Sequence, residues 1–140
     1  MSVLVVDASV VIKWLVPEIH ALAAGRLLEA GAELIAPDLL FAEVANTMWK
    51  KARRGELTSE IAQELVDDLP RIAVQTFPCR DLASEAHAVA IATGRSVYDS
   101  MYLALAIRLD TRLVTADERL VNAIRATPML ASHIRFVAEM

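Results

Sequence analysis

Four carboxylates stand where an α/β chain brings side chains to a common edge. Asp7 directly follows the apolar run Val3-Leu4-Val5-Val6, and Asp117 follows Leu113-Val114-Thr115-Ala116. Asp99 lies in Val97-Tyr98-Asp99-Ser100, at the start of a helical pattern. Glu43 lies about one turn into another, between Leu39-Leu40-Phe41-Ala42 and Val44-Ala45. Taken singly, Asp7, Asp99 and Asp117 each have an ordinary explanation, because Asp is among the best acceptors for the free N–H groups at a helix start. Glu43 has less of one, since a carboxylate on an apolar face needs a partner. Gathered at one sheet edge, the acids would repel one another unless a cation lay between them. Oxygen donors without His or Cys favour Mg2+ or Mn2+ over zinc. Such an ion lowers the pKa of a bound water, neutralises charge developing on a phosphodiester and stabilises the departing oxygen.

Other chemistries find little support. His20, His87 and His133 are scattered without triad or metal-ligand spacing, and they are read as surface or internally bonded histidines. Cys79 is the single cysteine, so no internal disulfide or paired-cysteine metal motif is available, which suits a reducing cytoplasm. The chain is 56% hydrophobic, yet charged residues interrupt every apolar run well short of the roughly 20 residues that cross a bilayer. The first residues lack the basic flank and long apolar stretch of a secretory leader. A cytoplasmic protein without a membrane partner is the expectation. The net charge of −4 is the wrong sign for holding nucleic acid by bulk attraction, so any such binding must be local. The cluster Lys50, Lys51, Arg53 and Arg54 could supply it, or could simply complement the dipole of a helix end.

The acids need a scaffold, and the pattern around them provides one. Short apolar runs at 3–6, 33–36, 72–77, 112–115 and 133–137 read as five strands. Helical patterns cover 20–30, 39–54, 58–69, 81–93, 99–109 and 117–124, several closed by Gly or Pro. Strands alternating with helices predict an α/β sandwich on a largely parallel sheet, whose ligands bind beyond the carboxyl ends of the strands. No linker or repeat divides the chain, so 1–140 is expected to form a single domain. The alanine-rich later helices suit tight packing on the sheet or a helix-lined dimer face.

At these residues the sequence resembles the PIN-domain family and, within it, the VapC toxins. The matching stretches are Val5-Val6-Asp7-Ala8-Ser9, Pro37-Asp38-Leu39 with Glu43-Val44-Ala45-Asn46, Tyr98-Asp99 with Tyr102-Leu103-Ala104-Leu105-Ala106, and Val114-Thr115-Ala116-Asp117-Glu118. The resemblance implies a three-layer α/β/α sandwich with a five-stranded parallel sheet, Mg2+ (or Mn2+) as cofactor, and endonucleolytic cleavage of RNA. It implies an acidic quartet of Asp7, Glu43, Asp99 and Asp117, with Asp7 and Asp99 the main metal ligands. Ser9 and Thr115 would hydrogen-bond to a carboxylate or water, and Asn46 would either support Glu43 or face solvent. Tyr98 and Tyr102 are expected to pack in the core rather than stack on a base. A cognate antitoxin and a homodimer are implied as partners, with residues 17–28 and 39–49, including Trp49, and the nearby Trp14 as candidate surface. Three alternatives are weighed against this. An aspartate-nucleophile phosphatase needs a second Asp where Ser9 stands, and a receiver domain needs an acidic pair at the first strand and a late lysine. A PIN-like module that binds RNA or a partner without cutting is the remaining one.

Overall fold

The continuous apolar run near the N-terminus, rich in β-branched residues, becomes the centre of the sheet, where a strand is covered on both faces. The computed structural model describes residues 2–140. Its elements in chain order are β1 (Val3–Val6), α1 (Ala8–Leu15), α2 (Ala21–Glu29), β2 (Glu33–Pro37), α3 (Leu39–Arg53), α4 (Ser59–Asp67), β3 (Gln75–Phe77), α5 (Ala83–Thr93), α6 (Val97–Arg108), β4 (Leu113–Thr115), α7 (Glu118–Arg125) and β5 (Ile134–Phe136). All strand pairs are parallel, in the order β3-β2-β1-β4-β5. Val5 pairs with Ile35 on one side and with Leu113 on the other, which brings the carboxyl ends of β1 and β4 level.

That order has a functional consequence. The chain winds outward from β1 through β2 to β3, then crosses back and winds the other way through β4 to β5. Right-handed crossovers put the helices of the two runs on opposite faces, giving three layers and a crevice where the direction reverses, between β1 and β4. Helix α6 packs across β1, β2 and β4. Every residue from 100 to 106 in it is buried, so this helix is covered all round rather than amphipathic. The core joins Val5, Val6, Ile35, Leu113 and Val114 of the sheet to Leu40, Val44 and Met48 of α3 and Leu103 and Leu105 of α6. Among the described residues no helix is long and apolar enough to cross a membrane.

Three details differ from the sequence reading. The third strand begins at Gln75 rather than at residue 72, because Leu69–Arg71 form a 3-10 turn and Val74 N–H bonds back to the Ile72 carbonyl. A sharp helix α1 follows Asp7 directly, and α5 begins at Ala83 after a separate 3-10 turn at Cys79–Asp81. The tight packing foreseen for both alanine-rich helices holds for α6, whereas α5 buries only Ala86 and leaves Ile91 exposed.

Candidate active site

Each acid is delivered by a different element. Asp7 leaves β1 in extended conformation and caps α1, its Oδ1 accepting from Val10 N–H at 3.3 Å. Asp117 does the same between β4 and α7, accepting from Leu120 N–H at 3.2 Å. Asp99 is not a cap: Ser96 caps α6 and its Oγ accepts from Asp99 N–H, so the Asp99 side chain is left for other partners. Glu43 stands in the second turn of α3. The capping explanation therefore holds for Asp7 and Asp117, and it does not conflict with a site, because one carboxylate oxygen satisfies the helix and the other remains.

All four acids line one cavity of about 140 Å³, together with Ala8, Ser9, Tyr102 and Leu120. Asp7 is the most deeply set, only 9% exposed. Ser9 Oγ donates to its Oδ1 and Thr115 Oγ1 to its Oδ2, both at 2.5 Å. Those hydroxyls also accept, Ser9 from Ala116 N–H at 2.9 Å and Thr115 from Asp117 N–H at 3.1 Å. The ends of β1 and β4 are thus stitched together through one carboxylate. Burial raises the Asp7 carboxyl from 3.8 to about 6, against the pull of Ser9, Thr115 and Val10, with a further push from Glu43. Burial also raises the Glu43 carboxyl; Tyr102 Oη, donating to Oε1 at 2.6 Å, works against this, and the Asp99 charge adds to it. The Tyr102 hydroxyl is itself held in its protonated form, first by burial and then by Glu43.

Ser9 and Thr115 each place a hydroxyl on Asp7. Tyr102 is buried, but its hydroxyl ends on Glu43; the base-stacking and simple core readings both miss this bond, which spans 59 residues of sequence. Tyr98 corrects the core expectation, being 63% exposed and outside the cavity. Asn46 is exposed on α3, does not line the cavity and makes no hydrogen bond to the acids. Of the basic cluster, Lys51 pairs with Glu18 at 3.2 Å and Arg53 lies over the exposed Trp49 ring at 5.3 Å. Trp14 is half-buried and donates to the Ala24 carbonyl at 2.7 Å, which ties α1 to α2. His133 bonds the Thr111 carbonyl, His20 packs edge-on against Phe136, and His87 is exposed.

The residue that sequence reasoning missed is Arg95. Its Nη2 donates to Asp99 Oδ2 at 3.0 Å and lies 3.7 Å from Asp117 Oδ2, so a cation of the chain itself stands among the acids. The signal was its place four residues before Asp99. With Arg95 drawing two acids, Tyr102 a third and two hydroxyls the fourth, no three of the described acidic, His or Cys side chains converge on one point as a ready metal cage. The donor set nevertheless fits a hard divalent ion, because the lining offers four carboxylates and neither His nor Cys.

Comparison with known proteins identifies the family and the fold. The family model described as PIN domain matches residues 4–125. A Pyrobaculum aerophilum protein named Ribonuclease VapC3 is 36% identical over 125 residues, which span 88% of this chain and 95% of the relative. The fold is shared with a crystal structure of Mycobacterium tuberculosis VapC20, titled a sarcin-ricin loop cleaving toxin, at TM-score 0.67 and 15% identity over 86% of this chain and 94% of that one. It is shared also with VapBC2 from Rickettsia felis, solved bound to a DNA fragment from its promoter, at TM-score 0.63 and 12% identity over 96% and 98%. The four acids at the sheet's switch point, the parallel sheet and these matches lead to one assignment: the chain belongs to the PIN-domain family, in its VapC branch.

Proposed function

We infer that this protein is a metal-dependent endoribonuclease that acts as the toxin of a toxin–antitoxin pair. The observation that carries the inference is the meeting of Asp7, Glu43, Asp99 and Asp117, drawn from four separate elements, around one cavity at the sheet's switch point. Asp7 and Asp99 would be the main ligands of Mg2+ or Mn2+, with Glu43 and Asp117 completing the set directly or through water. Such an ion, when bound, supplies a Lewis acid that lowers the pKa of water and neutralises charge on the phosphodiester.

The chain's own groups prepare that site. Ser9 and Thr115 each aim a hydroxyl proton at one oxygen of Asp7, which fixes the plane of the carboxylate before anything binds. Tyr102 holds Glu43 by a single oxygen. With its carboxyl at about 6, Asp7 is mostly charged at neutral pH, and a bound divalent ion would displace its remaining proton to solvent. A cognate antitoxin and a homodimer complete the proposal, as does a cytoplasmic location. The exposed Ile19 and Leu22 near α2, and Trp49 and Ile61 on α3 and α4, support protein partners. Antitoxin-free protein incubated with a broad RNA set and Mg2+ or Mn2+ should cut, and Asp7→Asn and Asp99→Asn should fold without cutting. Absence of metal-dependent cuts would favour the non-cleaving binding module.

A further inference from the structure

Arg95 sits in the joint between α5 and α6, just after Gly94, which ends α5 in the left-handed region (φ 74), and just before the cap Ser96. Its backbone is held, Arg95 N–H donating to Thr93 Oγ1 at 3.2 Å. Its side chain is held differently. The guanidinium reaches Asp99 and Asp117 through Nη2 alone, while Nε is buried without any acceptor. An arginine built as a permanent strut would have its fork satisfied, and this one is attached at one corner. The side chain is 28% exposed, so an outward path to solvent exists.

We propose that Arg95 is a built-in counter-ion that neutralises Asp99 and Asp117 in the metal-free protein and must release them for a divalent cation to bind, so that it sets the metal concentration at which the site becomes competent. This rests on the metal-dependent reading above. Two positive charges cannot share those oxygens without repulsion, and the two carboxylates cannot stand close without one of them. Exchange of the guanidinium for the ion answers both demands. It also accounts for the carboxylates being spread between Arg95, Tyr102 and the two hydroxyls.

The test is Mn2+ binding and unfolding by denaturant, on wild type and on Arg95→Gln and Arg95→Lys after stripping with EDTA. In Arg95→Gln, Mn2+ should bind more tightly by roughly three- to tenfold, the scale set by one or two partly exposed ion pairs. The same variant should be less stable than wild type without metal, and should lose that deficit once Mn2+ is saturating. Arg95→Lys, which keeps the charge and loses the fork, should fall between. Wild-type Mn2+ binding with equal or weaker affinity in both variants would overturn the proposal and leave the metal-dependent reading standing. No Mn2+ binding by any of the three proteins at millimolar concentration would remove that reading and the proposal together.

Discussion

Replacing Asp7 by Asn should make the metal-free protein more stable at neutral pH, and the gain should fade in acid. An amide stands in for the protonated acid, being neutral and of the same shape, and it keeps one oxygen for a hydroxyl donor. The carboxyl of Asp7 titrates at about 6 in the fold against 3.8 without it. At about 1.4 kcal/mol per tenfold, that difference makes the charged form cost about 3 kcal/mol in the native state. The sign follows from proton counting: between 3.8 and about 6 the folded chain holds more protons than the unfolded one, so stability falls as pH rises through this window and levels off above it. The variant has no such slope from this position. Urea unfolding in EDTA should therefore give an advantage of about 3 kcal/mol at pH 8, about half of that at pH 5, and close to none below the unfolded value of 3.8. A variant equal to or weaker than wild type at pH 8, or a difference that does not change with pH, would refute the account of Asp7 as a buried, strained charge.

Other outcomes follow from the same geometry. Thr115→Val removes a donor to Asp7 and an acceptor from Asp117 N–H while keeping the shape; unfolding measurements should show a loss of about 1–3 kcal/mol, larger at pH 8 than at pH 5. Tyr102→Phe strips Glu43 of the one side-chain donor it has among the described residues, so RNA cutting at limiting Mn2+ should fall several-fold while circular dichroism stays unchanged. Saturating Mn2+ at 100 times its dissociation constant should stabilise wild type by about 2.7 kcal/mol and Asp7→Asn by much less, with a wild-type gain that shrinks as pH falls below about 6 because protons compete for Asp7.

The sequence made the positions of the acids legible because each follows a strand or opens a helix, and those local patterns carry their own hydrophobic and capping signals. Val3 to Val6 announce a central strand, and Asp7 after them reads as both cap and ligand. What holds the acids was less legible. The Tyr102–Glu43 bond joins helices that approach each other only in the folded sheet, and Tyr98 and Tyr102, alike in sequence, part company because one turn of α6 faces solvent and the next is enclosed. Arg95 lies in the joint before the cap of α6, outside the helix, so its four-residue spacing to Asp99 does not read as a shared helix face. The third strand was overextended because Ile72 and Val74 have strand-like side chains, whereas their backbone is committed to a tight turn.

The bond from Thr115 to Asp7 spans 108 residues of sequence, and the bond from Ala116 N–H to Ser9 closes the same long loop. In the order of synthesis Asp7 precedes Thr115 and Asp117 by more than a hundred residues, so the pocket cannot be complete until β4 has been made. A chain that stops short of β4 lacks both Thr115 and Asp117, and leaves Asp7 without the hydroxyl that holds its Oδ2.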